Sequence, residues 1–210
     1  MNTESLSIVV PCYNCKETLK EAVESCFEQG LNNFEIVMVD DGSTDGTRAE
    51  MQRLSQLYKK HIKLVFHEKN RGGGAARNTG INNSSGEYIY CLDSDNILAN
   101  NSLGKMLAMI TASKSEGIAF SERRFFYKTD KQKYKSAFNS EINKPIVFED
   151  LFNGRSFILD NFLYKKTAYK ACGGYPEHHG FDTQCFEVRF LSKGFTVSVC
   201  PDTVYYQRQG

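Results

Sequence analysis

Apolar residues along this chain fall into two alternating rhythms. Short continuous runs at Leu6 to Val10, Phe34 to Asp40, Ile62 to Phe66 and from Glu87 onward read as strands buried on both faces. Between them, apolar residues recur every three or four positions, the spacing of one helical face. Leu19, Ala22, Val23, Cys26 and Phe27 form the first such face, and Met51, Leu54, Leu57 and Tyr58 the second. Leu103, Met106, Leu107 and Ile110 form a later one. Pro11 is expected to close the first strand. Asn14 with Glu17 resembles a capping box, Gly30 supplies a stop, and Asn101 can cap the later helix. A further helix is expected to start inside Asn70-Arg-Gly-Gly-Gly-Ala-Ala-Arg-Asn-Thr-Gly80, whose glycines let backbone approach closely. Strand and helix in alternation predict an α/β fold, a Rossmann-like, mostly parallel sheet flanked by helices.

The second half is less regular. Ile118 to Ser121 and Phe157 to Tyr164 are expected strands, and Gly173-Gly174-Tyr175-Pro176 is a turn. Thr183 to Ser192 is an expected helix with Lys193-Gly194 as its stop, followed by short strands at Phe195 to Cys200 and Val204 to Tyr206. Lys128 to Lys144 is polar and Lys-rich and reads as a surface loop or a lid over a substrate.

The first candidate chemistry lies where strands stop. Pro11 to Asn14, Asp40-Asp41 and Asp93-Ser94-Asp95 each follow an apolar run. Right-handed crossovers put these ends on one edge of the sheet, where open α/β sheets bind ligands. Two carboxylates one residue apart suit a hard divalent cation, and such a cation suits phosphate oxygens. The convergence points to a nucleotide site. The glycine-rich run is a poor dinucleotide fingerprint, because Arg77 stands where the third small residue belongs.

Composition then narrows the partners. The 210 residues suit one domain, and a formal net charge of +1 implies neither nucleic acid nor an anionic membrane. No signal peptide or long apolar span is visible. The 7 cysteines are odd in number and scattered, which suggests reduced thiols in a cytosolic protein. Cys12-Tyr-Asn-Cys15 has thioredoxin-like spacing, but the lack of an intervening Trp or Gly-Pro weighs against a redox role.

Five segments together resemble family 2 glycosyltransferases with the A-type nucleotide-sugar fold. They are Ile8-Val-Val-Pro-Cys-Tyr-Asn14, Phe34-Glu-Ile-Val-Met-Val-Asp-Asp-Gly-Ser-Thr-Asp45, Asn70-Arg-Gly-Gly-Gly-Ala-Ala-Arg-Asn-Thr-Gly-Ile81, Gly86-Glu-Tyr-Ile-Tyr-Cys-Leu-Asp-Ser-Asp95 and Gly173-Gly-Tyr175. They occur in the family's order and spacing, densely over residues 6 to 98 and thinly to about residue 206. The resemblance implies one domain over 1–210, with a nucleotide-binding half at 1–98 and an acceptor-binding half at 99–210. It implies that Pro11 and Tyr13 line a base pocket, that Asp41 hydrogen-bonds the base edge and that Asp93 faces the ribose or the metal. Asp95 would ligate Mn²⁺ or Mg²⁺, which bridges the donor diphosphate. Arg77 would meet phosphate or pair with a neighbouring Asp.

The implied reaction transfers a sugar, with inversion, from a nucleoside diphosphate sugar to an acceptor hydroxyl, with UDP as the first candidate nucleotide. The leaving group gains negative charge as it departs, which a divalent cation offsets. The acceptor hydroxyl must lose its proton, so a carboxylate base is expected. Relatives usually carry Glu-Asp at a helix start followed by Arg. Here, aligned on Arg189, Asp182 takes the Glu position and Thr183 the Asp position. Asp182 is the candidate base, or alternatively a helix cap. Glu187 is a reserve expected to pair on the helix surface. His178 and His179 are candidates for acceptor or metal contact. A His that often follows the last strand of relatives is absent. The acceptor would be a glycan, a lipid-linked molecule or a protein, and the location cytoplasmic or at the inner face of the membrane with peripheral association. Two alternatives remain at this point: a nucleotidyltransferase, disfavoured because Pro11 to Asn14 stands where a triphosphate loop belongs, and a nucleotide-sugar-binding module without turnover.

Overall fold

The structure is a computed structural model that describes residues 5–127, 130–138, 144–152, 161–177 and 180–209. Its first half alternates strictly: β1 (Leu6–Cys12), α1 (Lys16–Phe27), β2 (Phe34–Asp40), α2 (Thr47–Leu57), β3 (Ile62–Phe66), α3 (Gly73–Asn82) and β4 (Tyr88–Cys91). The second half continues with β5 (Ile97–Leu98), α4 (Ser102–Ala112), β6 (Gly117–Tyr127), β7 (Asp130–Phe138) and a 3-10 turn at Phe148–Leu151. It ends with β8 (Leu163–Lys165), α5 (Lys166–Cys172), α6 (Asp182–Ser192) and β9 (Val197–Gln209).

The described strands form a 9-stranded sheet in the order β3-β2-β1-β4-β8-β6-β9-β5, with β7 beside the outer part of β6. β3, β2, β1 and β4 are parallel neighbours. β8 runs against both β4 and β6, whereas β9 runs parallel to β6. β5 and β7 run against β9 and β6 respectively.

Successive strand residues face opposite sides, so the central strands feed two cores. Ile8, Val10, Ile36 and Met38 face α1, α2 and α4. Val9, Val37, Val39 and Cys91 face α3, α5 and α6. These strand residues are fully buried, and burying each aliphatic side chain is worth about 1.5–3 kcal/mol. Gly80 brings α3 onto the sheet: a Cβ there would lie 2.3 Å from Val9 Cγ1. That contact fixes where the glycine-rich N-terminus of α3 meets the carboxyl edge.

Several local expectations are corrected. Asn14 does not cap α1; Cys15 occupies that position without a side-chain cap bond. Asn14 sits at φ 49 and accepts the Thr44 N–H at 2.8 Å, while its own N–H donates to Ser43 Oγ at 3.0 Å. The loops after β1 and β2 therefore hold each other. Asn101 stands at the N-terminus of α4 without a cap bond, and buried Gln29 accepts the Leu103 N–H at 2.9 Å. Pro11 continues β1 instead of closing it, opposite Val39. Val9 faces β4, since its carbonyl accepts the Leu92 N–H. Pro11, two residues on, faces the same side beyond the end of β4, where no ladder partner needs its missing N–H.

Leu57 is 60% exposed, off the buried face of α2. Within Lys128 to Lys144, residues 130–138 are β7, not a loop. The two short terminal strands are one strand, β9, bent by a register shift near Asp202, whose φ is 54. β5 and α5 lacked a recognisable rhythm. Of the expected strand from Phe157, only the end falls in β8; residues 157–160 lie outside the described residues. Among the described residues, no helix is long and apolar enough to cross a membrane.

Candidate active site

From β1 the chain crosses to β2 on one side, and it later returns to place β4 on the other. That reversal leaves a crevice at the carboxyl ends of β1 and β4. It has a volume of about 450 Å³, and Pro11, Tyr13, Asp41, Arg77, Asp93 and Asp95 all line it. The structure thus gathers every residue expected at the donor. Tyr13 is 50% exposed, so its ring is available to a ligand. A second cavity of about 470 Å³ adjoins it, shares Asn70, Gly72 and Gly73 with it, and is lined by Asp182.

Adjacent carboxylates at the end of β2 take different tasks. Asp40 is spent on the fold, accepting Arg48 Nε at 2.9 Å and Nη2 at 2.7 Å. Asp41 is buried and does not cap α2. Its Oδ1 accepts the Arg71 N–H at 2.9 Å and pairs with His67 Nδ1 at 2.7 Å. Its Oδ2 accepts the Gly72 N–H at 2.8 Å. An ionised carboxylate accepts about four hydrogen bonds, so Asp41 keeps one site for a ligand. The carboxylate also fixes the His67 tautomer, because it can bond only to a protonated Nδ1; Nε2 then meets Thr79 Oγ1 at 2.9 Å.

The glycine-rich run approaches protein, not open space. A Cβ on Gly74 would lie 2.0 Å from Pro176 O, and one on Gly73 would lie 2.8 Å from Arg77 Nη1. These glycines let α3 dock against the segment that leads into α6.

Arg77 joins the two cavities. Its Nη2 donates to Asp93 Oδ1 at 2.6 Å and its Nη1 to Asp182 Oδ2 at 2.5 Å. Burial disfavours the guanidinium charge, but the two carboxylates outweigh burial and raise its affinity for the proton. Of the two fates expected for Arg77, the ion pair is the one formed. Asp93 Oδ2 accepts Asn161 Nδ2 at 3.0 Å and Asn96 Nδ2 at 3.3 Å. Both Asp93 oxygens are therefore engaged.

Asp95 is the more open acid. Its side chain is exposed to the crevice, where partial desolvation and then the Asp93 charge push the carboxyl above its ordinary range. Arg208, near the end of β9, opposes that shift. The Arg208 N–H donates to Asn96 Oδ1 at 2.8 Å and its Nε to Asp95 O at 2.9 Å. Its Nη2 meets Glu21 Oε2 on α1 at 2.7 Å. The end of β9 thus fastens the Asp93 to Asn96 turn.

Asp182 is the first residue of α6, and Phe181 holds the cap position. Its Oδ1 accepts the Thr183 N–H at 2.9 Å. Glu187 is 2% exposed and is not on the helix surface, because it shares the inward face with Phe186, Phe190 and Leu191. His178 and His179 lie outside the described residues. His67, Asn161 and Arg208 were not anticipated. For His67 the signal was its position immediately after β3, on the same edge; Asn161 and Arg208 arrive from distant strands.

The comparisons agree with this geometry. The family model "Glycosyl transferase family 2" matches residues 7–173. GlyG of Streptococcus pneumoniae is 29% identical over 99% of this chain and 71% of its own length. An uncharacterised Haemophilus influenzae glycosyltransferase is 39% identical over 51% of this chain, a match spanning only 42% of that relative. The glucosyltransferase WfgD of Escherichia coli is 34% identical over 52% of this chain and 42% of its own. In three dimensions, Staphylococcus aureus TarS in complex with UDP superposes at a TM-score of 0.78, with 23% identity over 98% of this chain and 61% of that one. The mannosyltransferase PcManGT of Pyrobaculum calidifontis, in complex with GDP-Man and Mn²⁺, gives 0.72 at 20% identity over 96% of this chain and 56% of its own. The parallel half-sheet, the acid-lined crevice at its edge and the match over residues 7–173 together show that this chain belongs to glycosyl transferase family 2.

Proposed function

We propose that this chain transfers a sugar, with inversion, from a nucleoside diphosphate sugar to an acceptor hydroxyl in glycan or polysaccharide synthesis. The observation that carries the reading is the bridge Asp93–Arg77–Asp182, which sets an acid of the donor crevice beside an acid of the adjoining cavity. UDP is the first candidate nucleotide: TarS is also known in complex with UDP-GlcNAc, and WfgD is named as using UDP-Glc. The acceptor is a glycan, lipid-linked molecule or protein, met in the cytoplasm or at the inner face of the membrane.

The residues divide the work. Pro11 and the half-exposed Tyr13 ring take the flat faces of the base. Asp41 offers its remaining acceptor site to a base N–H. Asp182 takes the proton of the acceptor hydroxyl as its oxygen attacks the anomeric carbon and the bond to the diphosphate breaks. Arg77 holds Asp182 in place through its Nη1 bond to Oδ2. Among the described residues, no group of three acid, His or Cys side chains surrounds one point. The donor set still fits Mn²⁺ or Mg²⁺, because such ions often take one or two carboxylates and complete their shell with substrate phosphates and water. Asp95, open to the crevice, would hold the ion, with Asp93 as second ligand where its present bonds yield. The ion would supply positive charge against the departing diphosphate.

Calorimetry of UDP with Mn²⁺ tests the reading. Asp95→Ala is expected to weaken metal-dependent UDP binding about 10–100-fold, and unchanged affinity would refute the metal assignment. The non-catalytic alternative is favoured by Thr183, which the family resemblance puts where an Asp is usual. It predicts UDP binding with no hydrolysis or transfer of any UDP-sugar.

A further inference from the structure

Two thiols with no part in the proposed chemistry line the donor crevice. Cys12 ends β1, Cys15 immediately precedes α1, and Tyr13 and Asn14 lie between them. Both are free cysteines, and both belong to one buried cluster at the floor of the crevice. Cys12 is fully buried and reaches Val10 O at 3.4 Å. Cys15 is 8% exposed and stands at the N-terminus of a 12-residue helix, a position that favours a thiolate. The neighbouring Cys12 side chain, ahead of the other influences, holds the Cys15 thiol below its ordinary range, while burial pushes Cys12 well up. One sulfur is suited to attack and the other to follow.

We propose that Cys12 and Cys15 form a reversible oxidation site whose disulfide closes the crevice to the nucleotide. The oxidant is a hydroperoxide, small enough to enter a space of about 450 Å³. With hydrogen peroxide, the Cys15 thiolate attacks one oxygen and the O–O bond breaks. The hydroxide that leaves takes up the proton Cys15 had given up, and Cys15 becomes a sulfenic acid. Cys12 then loses its proton and attacks the Cys15 sulfur, the S–O bond breaks and a second water departs. Two thiols have lost two electrons and the peroxide has gained them; a thiol reductant reverses the change.

Closure follows from what the small ring encloses. A disulfide brings the sulfurs to about 2.05 Å, closer than any non-bonded pair. Tyr13 and Asn14 must absorb that shortening, and Asn14 is already pinned at φ 49 by Ser43 and Thr44. The displacement therefore falls on Tyr13, the residue read as facing the base. This part of the inference rests on the proposed donor site.

The test uses the full chain carrying Cys185→Ser, which removes the exposed thiol. Protein treated with hydrogen peroxide is mapped by mass spectrometry and titrated with UDP and Mn²⁺ by calorimetry. The expected result is a Cys12–Cys15 linked peptide, a UDP affinity lowered at least about tenfold, equivalent to 1.4 kcal/mol, and full recovery with dithiothreitol. Bound UDP should slow the linkage, by reciprocity. Cys15→Ser should bind UDP equally before and after peroxide, whatever its absolute affinity; if that variant does not fold, Cys12→Ala serves the same comparison. Peroxide-treated protein in which Cys12 and Cys15 still take up iodoacetamide overturns the site, and linked protein that binds UDP as the reduced form does overturns the closure. If the reduced protein binds no nucleoside diphosphate, the donor reading falls and takes closure with it, while the linked peptide is still read by mass.

Discussion

The half built from β1 to β4 and the half built from β6 to β9 bury the same sheet on two faces by different means. In the first, β1 and β2 each lead through a helix to a parallel neighbour, and β3 leads through α3 to β4 on the far side of β1, so strand and helix alternate regularly. In the second, β8 inserts between β4 and β6, running against both, and contacts are made across long stretches of chain. Asn161 reaches Asp93 across 68 positions, and Arg208 reaches Asp95 across 113. The difference separates two tasks. The periodic half presents acids at a fixed edge; the irregular half brings the groups that orient those acids and the carboxylate proposed to take the acceptor proton. The proposed chemistry lies at their seam, where Gly73 and Gly74 admit the chain leading into α6.

Three substitutions probe that division. The largest effect is expected at the seam carboxylate. Asp182→Asn should lower turnover about 10²–10⁴-fold with donor affinity little changed, read as kcat and UDP-sugar dissociation constant on the same preparation; near-native kcat eliminates Asp182 as the base. Next, Gly74→Ala should cost about 1–3 kcal/mol in urea denaturation, because its Cβ would lie 2.0 Å from Pro176 O. If that change left both stability and turnover intact, the two halves would not depend on this close approach. The smallest effect is expected at Leu57, on the periodic half but exposed. Leu57→Lys should move stability by no more than about 0.5 kcal/mol; a larger loss would mean that this side of α2 is covered in solution.

The same contrast explains what was legible in the sequence. The first-half strands, α2 and the convergence of Pro11, Asp41, Asp93 and Asp95 followed from apolar runs ending in polar residues. Asn14 misled because its side chain joins a neighbouring loop instead of capping its own helix, a competition that spacing does not reveal. β7 carried no apolar rhythm because it is an outer strand, held by the backbone ladder to β6 alone among the described strands. Glu187 reads as a surface residue by type and is buried by position. Asp182 emerged from alignment on Arg189, but its tie to Arg77 did not, since the two are 105 positions apart.

Arg77 carries one more consequence. A single guanidinium bridges two acids that would otherwise repel each other across the seam, and a lysine, with one ammonium at the end of a flexible stem, could not replace its fork. Neither acid can then be interrogated alone. Removing one releases half of the arginine to the other, so the effects of Asp93 and Asp182 substitutions will fail to add. Only a double-mutant cycle, with the arginine altered in turn, separates what each carboxylate does from what its counterpart permits.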